Sequence, residues 1–595
     1  MMAGTLLATL TIPHLDYTAV LPEIILVGGA LFIMLVTSLS RKSMGTASSM
    51  GWTVLAACVA LGFSIYQWVG VTAHGGHGAY AAFAGSIAVD GFSSMVAVIV
   101  SSSVVVAALM EEGWLRRQGR VSPEMHMLTL VSAAGAILMA AANDLIVVFL
   151  GLEIMSIGLY VLAAYDYRRK ESGEAALKYL ILGGFSSAIF LYGIALTYGA
   201  TGTTNLAGIA SYLSKNILLH DGLLLAGMAL LLVGLCFKVA AAPFHLWAPD
   251  VYQGSPSPAT GYMAAVAKIG GFAALLRIFV SALGSYRADW QPAIWVIAAV
   301  TLVVGAVMAL VQTDVKRMLA YSSINHAGFI LLGVAAASTA GVSASLYYLF
   351  VYSFMVMGSF AVVSVVGGSS DDAHSLASYR GLHRRSPWLA WTLALMLIAQ
   401  AGIPFTTGFM AKLEVLTASI GAHVTWLAVV AMVTAAVAAF FYLRVVLLMF
   451  STAPAPSGVA PMDAIPAGVG AMSSAGAHRG TASYEDGGLS EVGEYLRVAD
   501  TPADYPVEGM SFGFYAGDQG DQRKGMEGED GGDGSEDLVL YGREMDGDMD
   551  GGGEAIYITP SVGVAMAICA CFTVFFGIIP GPLTTMAHAA TMLIR

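Results

Sequence analysis

The 595-residue chain contains 57% hydrophobic and only 11% charged residues, and its mean hydropathy is +0.75. Soluble domains carry about 25% charged residues, so this composition excludes a soluble enzyme and a nucleic-acid-binding protein. The formal net charge of −12 is concentrated in one segment, because residues 451–556 hold 21 acidic and 5 basic side chains.

Long apolar runs dominate the rest of the chain. Runs of about 20 apolar residues match the thickness of a bilayer core. Each is predicted to be a helix, because the backbone groups of a lipid-spanning segment have to bond within that segment. No basic stretch or cleavage pattern precedes the first run, so we expect it to remain as a span. The predicted fold is an all-α polytopic membrane protein of about 14 transmembrane helices, at 18–39, 50–70, 90–110, 124–142, 144–165, 175–199, 222–248, 257–282, 292–311, 317–338, 341–367, 388–420, 424–450 and 558–580.

Basic residues mark one set of alternate loops between these spans. The opposite loops carry little more than Lys215 and Arg287. Cytoplasmic loops hold the excess of lysine and arginine, so we predict a bacterial cytoplasmic (inner) membrane protein with cytoplasmic basic loops and both termini outside. The basic loop residues are Arg41, Lys42, Arg116, Arg117, Arg120, Arg168, Arg169, Lys170, Lys316, Arg317, Arg380, Arg384 and Arg385.

Two of the spans carry proline deep inside. The seventh contains Pro243 in GLCFKVAAAPFHLWAPD, and the twelfth contains Gly402 and Pro404 in AQAGIPFTTGFMAKLEVL. An interior proline removes a helix hydrogen bond, and in a membrane the freed carbonyl groups need water or polar partners. A packing kink would explain either proline alone. The two breaks lie five spans apart, however, which predicts two five-helix repeats, spans 4–8 and 9–13, that insert upside down relative to each other.

These patterns divide the chain into five segments. The insertion is rich in Gly, Asp, Glu, Ser and Pro and cannot bury enough apolar surface to fold, so we predict that it is disordered and cytoplasmic. A tolerated insertion and a binding site for another subunit or a cation both remain open. The segments are the first three spans (1–122), the first five-helix repeat (123–283), the inverted second repeat (284–450), the acidic insertion (451–556) and the last span (557–595).

Ionisable side chains at bilayer depth are costly and point to function. The candidates at that depth are Glu153, Lys178, Lys238, Lys268 and Lys412. Burial favours a neutral amine and a nearby carboxylate favours a charged one, so such a site can take up and release a proton. We predict that Glu153 pairs with Lys238 and that protons pass to the central Lys268. Lys412 then exchanges them with the outer side.

Other polar residues leave two interpretations open. Lys178 begins the sixth span, where a lysine can also snorkel to the interface. His245 and His326 could relay protons, since imidazole titrates in the useful range, or brace a helix as satisfied polar groups. The sequence contains no Walker A, GxGxxG, CxxC or haem-ligand pattern, so we predict that this chain binds no cofactor or metal.

Two blocks of sequence resemble a known family. FKVAAAPFHLWAPDVYQGSPSPATGYMAAVAKIGGFAALLR (Phe237–Arg277) and DVKRMLAYSSINHAGFILLG (Asp314–Gly333) are similar to signature regions of the antiporter-like membrane subunits of bacterial NADH:quinone oxidoreductase, respiratory complex I. The motif DVYQGSPSP (Asp250–Pro258) and Lys412 resemble the subunit N branch. Large subunits of Mrp-type cation/proton antiporters share the same core, and such an antiporter is the alternative.

The resemblance implies a proton-translocating, non-redox subunit of an NADH:quinone oxidoreductase that uses ubiquinone or menaquinone. It implies Glu153 and Lys238 as the coupled pair, with Lys268 as the central lysine. Lys412 is implied as the terminal lysine and Lys178 as a further family lysine. NADH, FMN, iron–sulfur clusters and quinone would be bound by partner subunits. The neighbours would be the antiporter-like subunit M, the small subunits K and J, and lipid. The acidic insertion is longer than is usual in this family.

Overall fold

The computed structural model describes residues 16–39, 44–73, 78–216, 222–451 and 556–590. Apart from its two end residues, the predicted acidic insertion at 451–556 lies outside these ranges. A short antiparallel hairpin pairs β1 (Tyr80–Ala82) with β2 (Ile87–Val89). The helices are α1 (Leu21–Leu39), α2 (Thr46–Thr72), α3 (Gly91–Arg117), α4 (Glu124–Ala141), α5 (Leu145–Ala163), α6 (Lys170–Thr201), α7 (Leu206–Lys215), α8 (Gly222–Lys238), α9 (Trp247–Gly254), α10 (Ser257–Leu275, continued by a π-helical segment, Leu276–Ala282), α11 (Arg287–Leu310), α12 (Val315–Ala335), α13 (Thr339–Val366), α14 (Leu382–Arg385), α15 (Pro387–Ala401), α16 (Thr407–Gly421), α17 (Thr425–Phe450), α18 (Pro560–Ile578) and α19 (Gly581–Ala589).

The predicted all-α membrane fold is confirmed. Twelve helices of the described ranges are long and apolar enough to cross a membrane. Two further apolar helices, α8 and α15, are shorter, because each ends at one of the predicted breaks. The number of fourteen spans, the inverted relation of the repeats and the segment boundaries stay predictions.

Three helices form the centre of the molecule. The apolar windows of α12 and α13 are wholly buried and that of α10 is 94% buried, whereas those of α1, α2 and α18 are at most 28% buried. The outer helices expose large apolar side chains such as Phe185 and Leu447. Lipid can cover such surfaces without cost, so the polar groups that matter for function are expected on the central helices.

Both helix breaks lie where proline predicts them. α8 ends at Lys238, and a loop containing Pro243 leads into α9. α15 ends at Ala401, and the φ of the following residue, Gly402, is left-handed at +82°, a conformation that glycine adopts without steric cost. α16 then begins against α15 so closely that a Cβ on Gly408 would overlap the Ala399 carbonyl oxygen. Each break therefore leaves the carbonyl end of a half-helix inside the molecule.

Candidate functional site

Lys238 is the last residue of α8 and is 3% exposed. Its Nζ donates hydrogen bonds to Ser156 Oγ at 2.8 Å and to the Tyr179 hydroxyl at 3.3 Å. The rings of Tyr160 and Tyr179 lie 5.8 and 5.4 Å from the same atom, within range for a cation–π interaction. A cavity of about 10 Å³ adjoins Lys238, Ser156 and Tyr160, which is room for about one water molecule.

Glu153 lies three residues before Ser156 on α5, and so on the same side of that helix. Lys238 bonds to hydroxyl groups rather than to this carboxylate, and the two form no ion pair within 4.0 Å. Glu153 is near enough for a Coulomb interaction with Lys238. Its Oε1 is buried and has no hydrogen-bond partner among the described residues. The predicted coupling of Glu153 to Lys238 is therefore an interaction at a distance, and its role stays a prediction.

Lys268 lies at the junction of α10, α12 and α13 and is 2% exposed. Its Nζ donates to the Ser323 backbone carbonyl at 2.7 Å and to Ser323 Oγ at 2.5 Å. Ser323 Oγ also accepts from the Tyr352 hydroxyl at 2.7 Å, and the Tyr352 ring centroid lies 5.8 Å from Nζ. The amine is thus held entirely by neutral groups, with a hydroxyl chain leading away from it.

His326 follows Ser322 by one turn of α12 and is buried. Its Nδ1 bonds the Tyr348 hydroxyl at 2.7 Å and its Nε2 bonds the Tyr442 hydroxyl at 3.0 Å. Tyr442 makes a short hydrogen bond to Ser322, and Ser322 Oγ donates to Gln400 Oε1 at 3.3 Å. Side chains of α12, α13, α15 and α17 therefore share one buried hydrogen-bonded cluster, and His326 is satisfied on both nitrogens.

Lys412 lies on α16 but reaches back to the end of α15. Its Nζ donates to the Ala401 carbonyl oxygen at 2.8 Å and lies 4.9 Å from the Phe329 ring centroid. The C-terminal end of a helix carries partial negative charge, so the broken end of α15 stabilises this ammonium without a carboxylate. Gly402 lines the same amine, since a Cβ there would lie 2.8 Å from Lys412 Cδ.

Two of the residues predicted from the sequence, Lys178 and His245, lie apart from the buried lysines and the His326 cluster. Lys178 is half-exposed and pairs with Glu174 and with Asp250, each at 2.8 Å. Asp250 also pairs with Arg317 at 2.7 Å, so Lys178 belongs to a surface ion-pair cluster. His245 lies in the loop of the first break, and its Nδ1 has no hydrogen-bond partner in the part of the chain that the structure describes.

Sequence reasoning missed a buried ionic cluster around Asp371, in the loop after α13. Asp371 accepts hydrogen bonds from the backbone N–H and Oγ of Ser257, at 2.9 and 2.6 Å. Lys316 Nζ and His374 Nε2 lie 3.5 and 3.2 Å from its carboxylate. Burial alone would raise the pKa of Asp371, but the charge of Lys316 and the bonds to His374 and Ser257 outweigh it and hold that pKa below its usual value.

The missed cluster has a physical reason. Lys316 was counted as a loop residue, whereas it lies in the first turn of α12 with a fully buried side chain. Its partner Asp371 comes from a loop 55 residues further along the chain, a pairing that the sequence pattern does not show. The Asp314 N-cap, whose side chain accepts from the Arg317 N–H, was the available signal that α12 begins before Lys316.

Comparison with known proteins places this geometry in a family. Residues 142–438 match the family described as NADH:quinone oxidoreductase/Mrp antiporter, transmembrane. The chain is 50% identical to NADH-quinone oxidoreductase subunit N of Rhodococcus opacus over 57% of this chain and 63% of that protein, less than two thirds of its length. A longer match, 41% identical, relates 77% of the chain to 89% of NADH-quinone oxidoreductase subunit N 3 of Streptomyces griseus.

A solved structure agrees with these relatives. The fold matches a chain of respiratory complex I from Thermus thermophilus with bound aureothin, with a TM-score of 0.61 and 33% identity, over 72% of this chain and 90% of that one. Sequence and fold agree over most of the length of these proteins, and the chain belongs to the NADH-quinone oxidoreductase subunit N family.

Proposed function

We propose that this chain is a proton-translocating membrane subunit of an NADH:quinone oxidoreductase that uses ubiquinone or menaquinone. One observation carries the proposal. The amines of Lys238, Lys268 and Lys412 are buried, and each is hydrogen-bonded only to neutral oxygen atoms. By contrast, the buried cations Arg277 and Lys316 lie within 4.0 Å of the carboxylates of Asp90 and Asp371.

This contrast separates permanent charges from exchangeable ones. A buried cation beside a carboxylate is stabilised as a cation, and removing its proton would leave the acid unpaired. An amine among hydroxyl and carbonyl oxygens can donate hydrogen bonds as –NH₃⁺ or as –NH₂, while burial disfavours the charged form. Such an amine gains and loses a proton at little structural cost, as a proton carrier has to.

A change in the electrostatic interaction between Glu153 and Lys238 is of the same size as the energy needed to pump one proton. Each proton moved against 100 mV requires about 2.3 kcal/mol. Two charges 4 Å apart interact by about 4 kcal/mol at an effective dielectric constant of 20. A shift of Glu153 relative to Lys238, driven by events in the redox subunits, would therefore change the proton affinity of that amine enough to drive one proton onward.

The proposed route runs from Lys238 to Lys268 and then to Lys412. Ser322 and Ser323 are adjacent on α12, so the hydroxyl chain at Lys268 and the cluster around His326 touch the same turn of helix. Gln400 brings that cluster to the end of α15, where Lys412 is bound. Water molecules would bridge the remaining gaps, since they transmit hydrogen bonds nearly as well as direct contacts do. Lys178 and His245 would act at the edge of this route.

The redox chemistry belongs to partners in this proposal. NADH, FMN, iron–sulfur clusters and quinone would be bound by other subunits, and this chain would bind no cofactor or metal. It would sit in the bacterial inner membrane beside the antiporter-like subunit M and the small subunits K and J, with both termini outside and its basic loops in the cytoplasm. The relatives named subunit N favour this assembly over an Mrp-type antiporter.

The test is Lys268→Met in the assembled enzyme, assayed in inverted membrane vesicles. We expect NADH-driven proton uptake to fall at least tenfold, with NADH:quinone turnover falling as well, since coupled steps stall together. Lys215→Met is the matched control, because Lys215 is exposed at the end of α7. Normal NADH-driven proton uptake by Lys268→Met would overturn the proposal, and proton uptake driven by a Na⁺ gradient without NADH would favour the antiporter.

A further inference from the structure

A fully buried acid and imidazole lie between α3 and α4, outside the proposed route. Glu111 and His126 are each 0% exposed. Thr129 Oγ1 donates to Glu111 Oε1 at 2.5 Å, and His126 Nε2 lies 4.0 Å from Glu111 Oε2. Glu111 Oε2 and both ring nitrogens of His126 have no hydrogen-bond partner among the described residues. Three buried polar atoms of the two side chains thus lack a hydrogen-bond partner, and two of them, His126 Nε2 and Glu111 Oε2, lie 4.0 Å apart.

Two neighbouring acids are bound differently, although Glu23 and Glu153 also have one buried oxygen without a partner among the described residues. Glu112, the next residue, accepts a short hydrogen bond from Ser561 on α18. Asp90 accepts hydrogen bonds from both terminal nitrogens of Arg277, each at 2.8 Å. It also accepts from the Ser93 backbone N–H and so caps α3. Both of those acids have partners that fix them in one state. Glu111 has a single hydroxyl donor and an imidazole just beyond hydrogen-bond distance.

The chemistry of the pair fixes its proton content. A lone buried carboxylate is strongly disfavoured, and the 4.0 Å gap to His126 is too long for a hydrogen-bonded ion pair. Glu111 therefore carries a proton beside a neutral His126, and the pair holds one exchangeable proton. A proton is therefore the ligand that this site fits.

The position of the pair connects it to Lys268. Tyr262 on α10 donates to the Thr129 carbonyl oxygen at 2.9 Å and bonds Ser132 Oγ at 2.7 Å. Tyr262 precedes Lys268 by six residues, about 9 Å along the helix axis. The pair lies near the ends of α3 and α4 that the basic loop joins. It is therefore placed between that loop and the central lysine.

Other titratable and charged groups lie around the pair on several elements. Tyr262 faces it from α10 and Tyr165 from the loop after α5, each near enough to Glu111 for a Coulomb interaction. Tyr165 is half-buried and makes a short hydrogen bond to Ser122 in the basic loop. From α3, Arg117 points instead to Ser364 on α13. On the basic-loop side, Arg120 lies 5.8 Å from the Tyr165 ring centroid and Ser122 donates to Glu124 at 2.8 Å. Charged groups therefore flank the pair towards the loop, and the hydroxyl groups of Tyr262 and Ser132 flank it towards Lys268.

We propose that Glu111 and His126 form a proton-loading site that takes up one proton from the basic-loop side and passes it towards Lys268. The proton would enter from water near Tyr165 and Ser122. It would leave by way of the Thr129 hydroxyl. A water molecule would bridge from there to the hydrogen-bonded hydroxyls of Tyr262 and Ser132, each hydroxyl accepting one proton and giving up another. The inference rests on the proposed function, to which it adds an input that none of the sequence-predicted residues supplies.

Glu111→Gln in the assembled enzyme tests the site, with Glu112→Gln as the matched control. We expect the infrared spectrum of the purified enzyme to lose one deuterium-sensitive band of a buried carboxylic acid in Glu111→Gln only. His126→Gln should shift that band, because its imidazole partner is gone. NADH-driven proton uptake should slow at least fivefold in Glu111→Gln and stay normal in Glu112→Gln.

Each outcome has one meaning. An unchanged carboxylic-acid band in both Glu111→Gln and His126→Gln would overturn the site, and normal proton uptake by Glu111→Gln would overturn its loading role. If Glu111→Gln does not assemble, the band shift in His126→Gln decides the question. If Lys268→Met still pumps protons, the proposed function fails, whereas the infrared band still shows whether the pair holds a proton.

Discussion

Both helix breaks hold a buried lysine at the end of a half-helix, but they bind its amine through different groups. At the first, Lys238 is part of the half-helix that ends there, and its amine bonds two side-chain hydroxyls with Glu153 nearby. At the second, Lys412 comes from the half-helix that follows the break and bonds the freed Ala401 carbonyl oxygen. In both, a lysine lies at the C-terminal, partially negative end of a half-helix.

The difference lies in what can move. In the proposed function Glu153 on α5 shifts relative to Lys238, which would make the first break an electrostatic switch. A helix end has a fixed dipole, and among the described residues no carboxylate has a resolved Coulomb interaction with Lys412, whereas Glu153 has one with Lys238. The first break is therefore suited to driving a proton and the second to holding and releasing it. The four predictions below test this distinction.

The largest effect is expected from adding a side chain at Gly408, where α15 and α16 are in close contact at the second break. A Cβ on Gly408 would overlap the Ala399 carbonyl oxygen, and neither backbone can yield without separating α15 from α16. We expect Gly408→Ala to prevent stable incorporation of the subunit, measured by its level in purified enzyme. Gly421→Ala, on the same helix but facing open space, should incorporate normally. Normal incorporation of Gly408→Ala would show that the second break is not rigid.

These breaks were predictable because their signals are local. Pro243 and Pro404 each interrupt an apolar helix within a few residues, and the lysines beside them stand out in a nonpolar sequence. Partners distant in sequence were not predictable. The acceptors of Lys238 and Lys412 depend on how α5 and α6 pack and on which carbonyl a break frees. Neither can be read from residue spacing.

The other residues that the sequence did not reveal lie at the ends of helices. The third span was predicted to end at residue 110, which placed Glu111 in a loop, whereas α3 continues to Arg117. The buried Trp114 keeps the helical apolar pattern beyond the two acids, and that was the usable signal. The surface helix α7, the hairpin and α19 are too short to give one. Apolar runs thus predict the spans well but not the charged turns at their ends.

The next largest effect concerns the buried ion-pair cluster at Asp371, which holds the start of α10 after the first break. Asp371 binds Ser257, at the start of α10, and Lys316 also donates to the Ser255 carbonyl oxygen at 2.5 Å. Asp371→Asn keeps a residue that tolerates the left-handed φ of 54° there but leaves Lys316 buried without its counter-charge. Breaking a buried ion pair costs about 3–5 kcal/mol. We expect a clear fall in the thermal midpoint of the purified enzyme.

The pH dependence of that difference follows from the lowered pKa of Asp371. A depressed pKa in the folded state contributes stability above the unfolded value, about 3.9 for aspartate. The gap between wild type and Asp371→Asn should therefore be constant from about pH 5 to 8 and shrink below about pH 4. A gap that changes between pH 6 and 8 would mean that another group titrates in this cluster.

A smaller effect, on activity rather than stability, tests the switch at the first break. Glu153→Gln removes the charge and keeps the shape, so Lys238 loses its Coulomb partner without losing its two hydrogen bonds. Because the separation exceeds 4 Å, the interaction is weaker than the 4 kcal/mol of close charges. We expect NADH-driven proton uptake to fall about tenfold, equivalent to ~1.4 kcal/mol. Glu171→Gln, exposed on α6, is the control, and equal rates in both variants would contradict a switch at Glu153.

The smallest effect is expected from the backbone of the first break. Ala240 has a left-handed φ of 56°, which costs an alanine about 1–2 kcal/mol. Ala240→Gly relieves that strain. It also removes one buried methyl group, which costs ~0.8 kcal/mol of stability, and it increases the conformational entropy of the unfolded chain. These contributions nearly cancel, so the thermal midpoint and proton uptake should both stay close to wild type. A large loss of proton uptake at an unchanged thermal midpoint would show that the strained turn itself positions Lys238. The first break would then be rigid like the second, and the distinction between the two breaks would be lost.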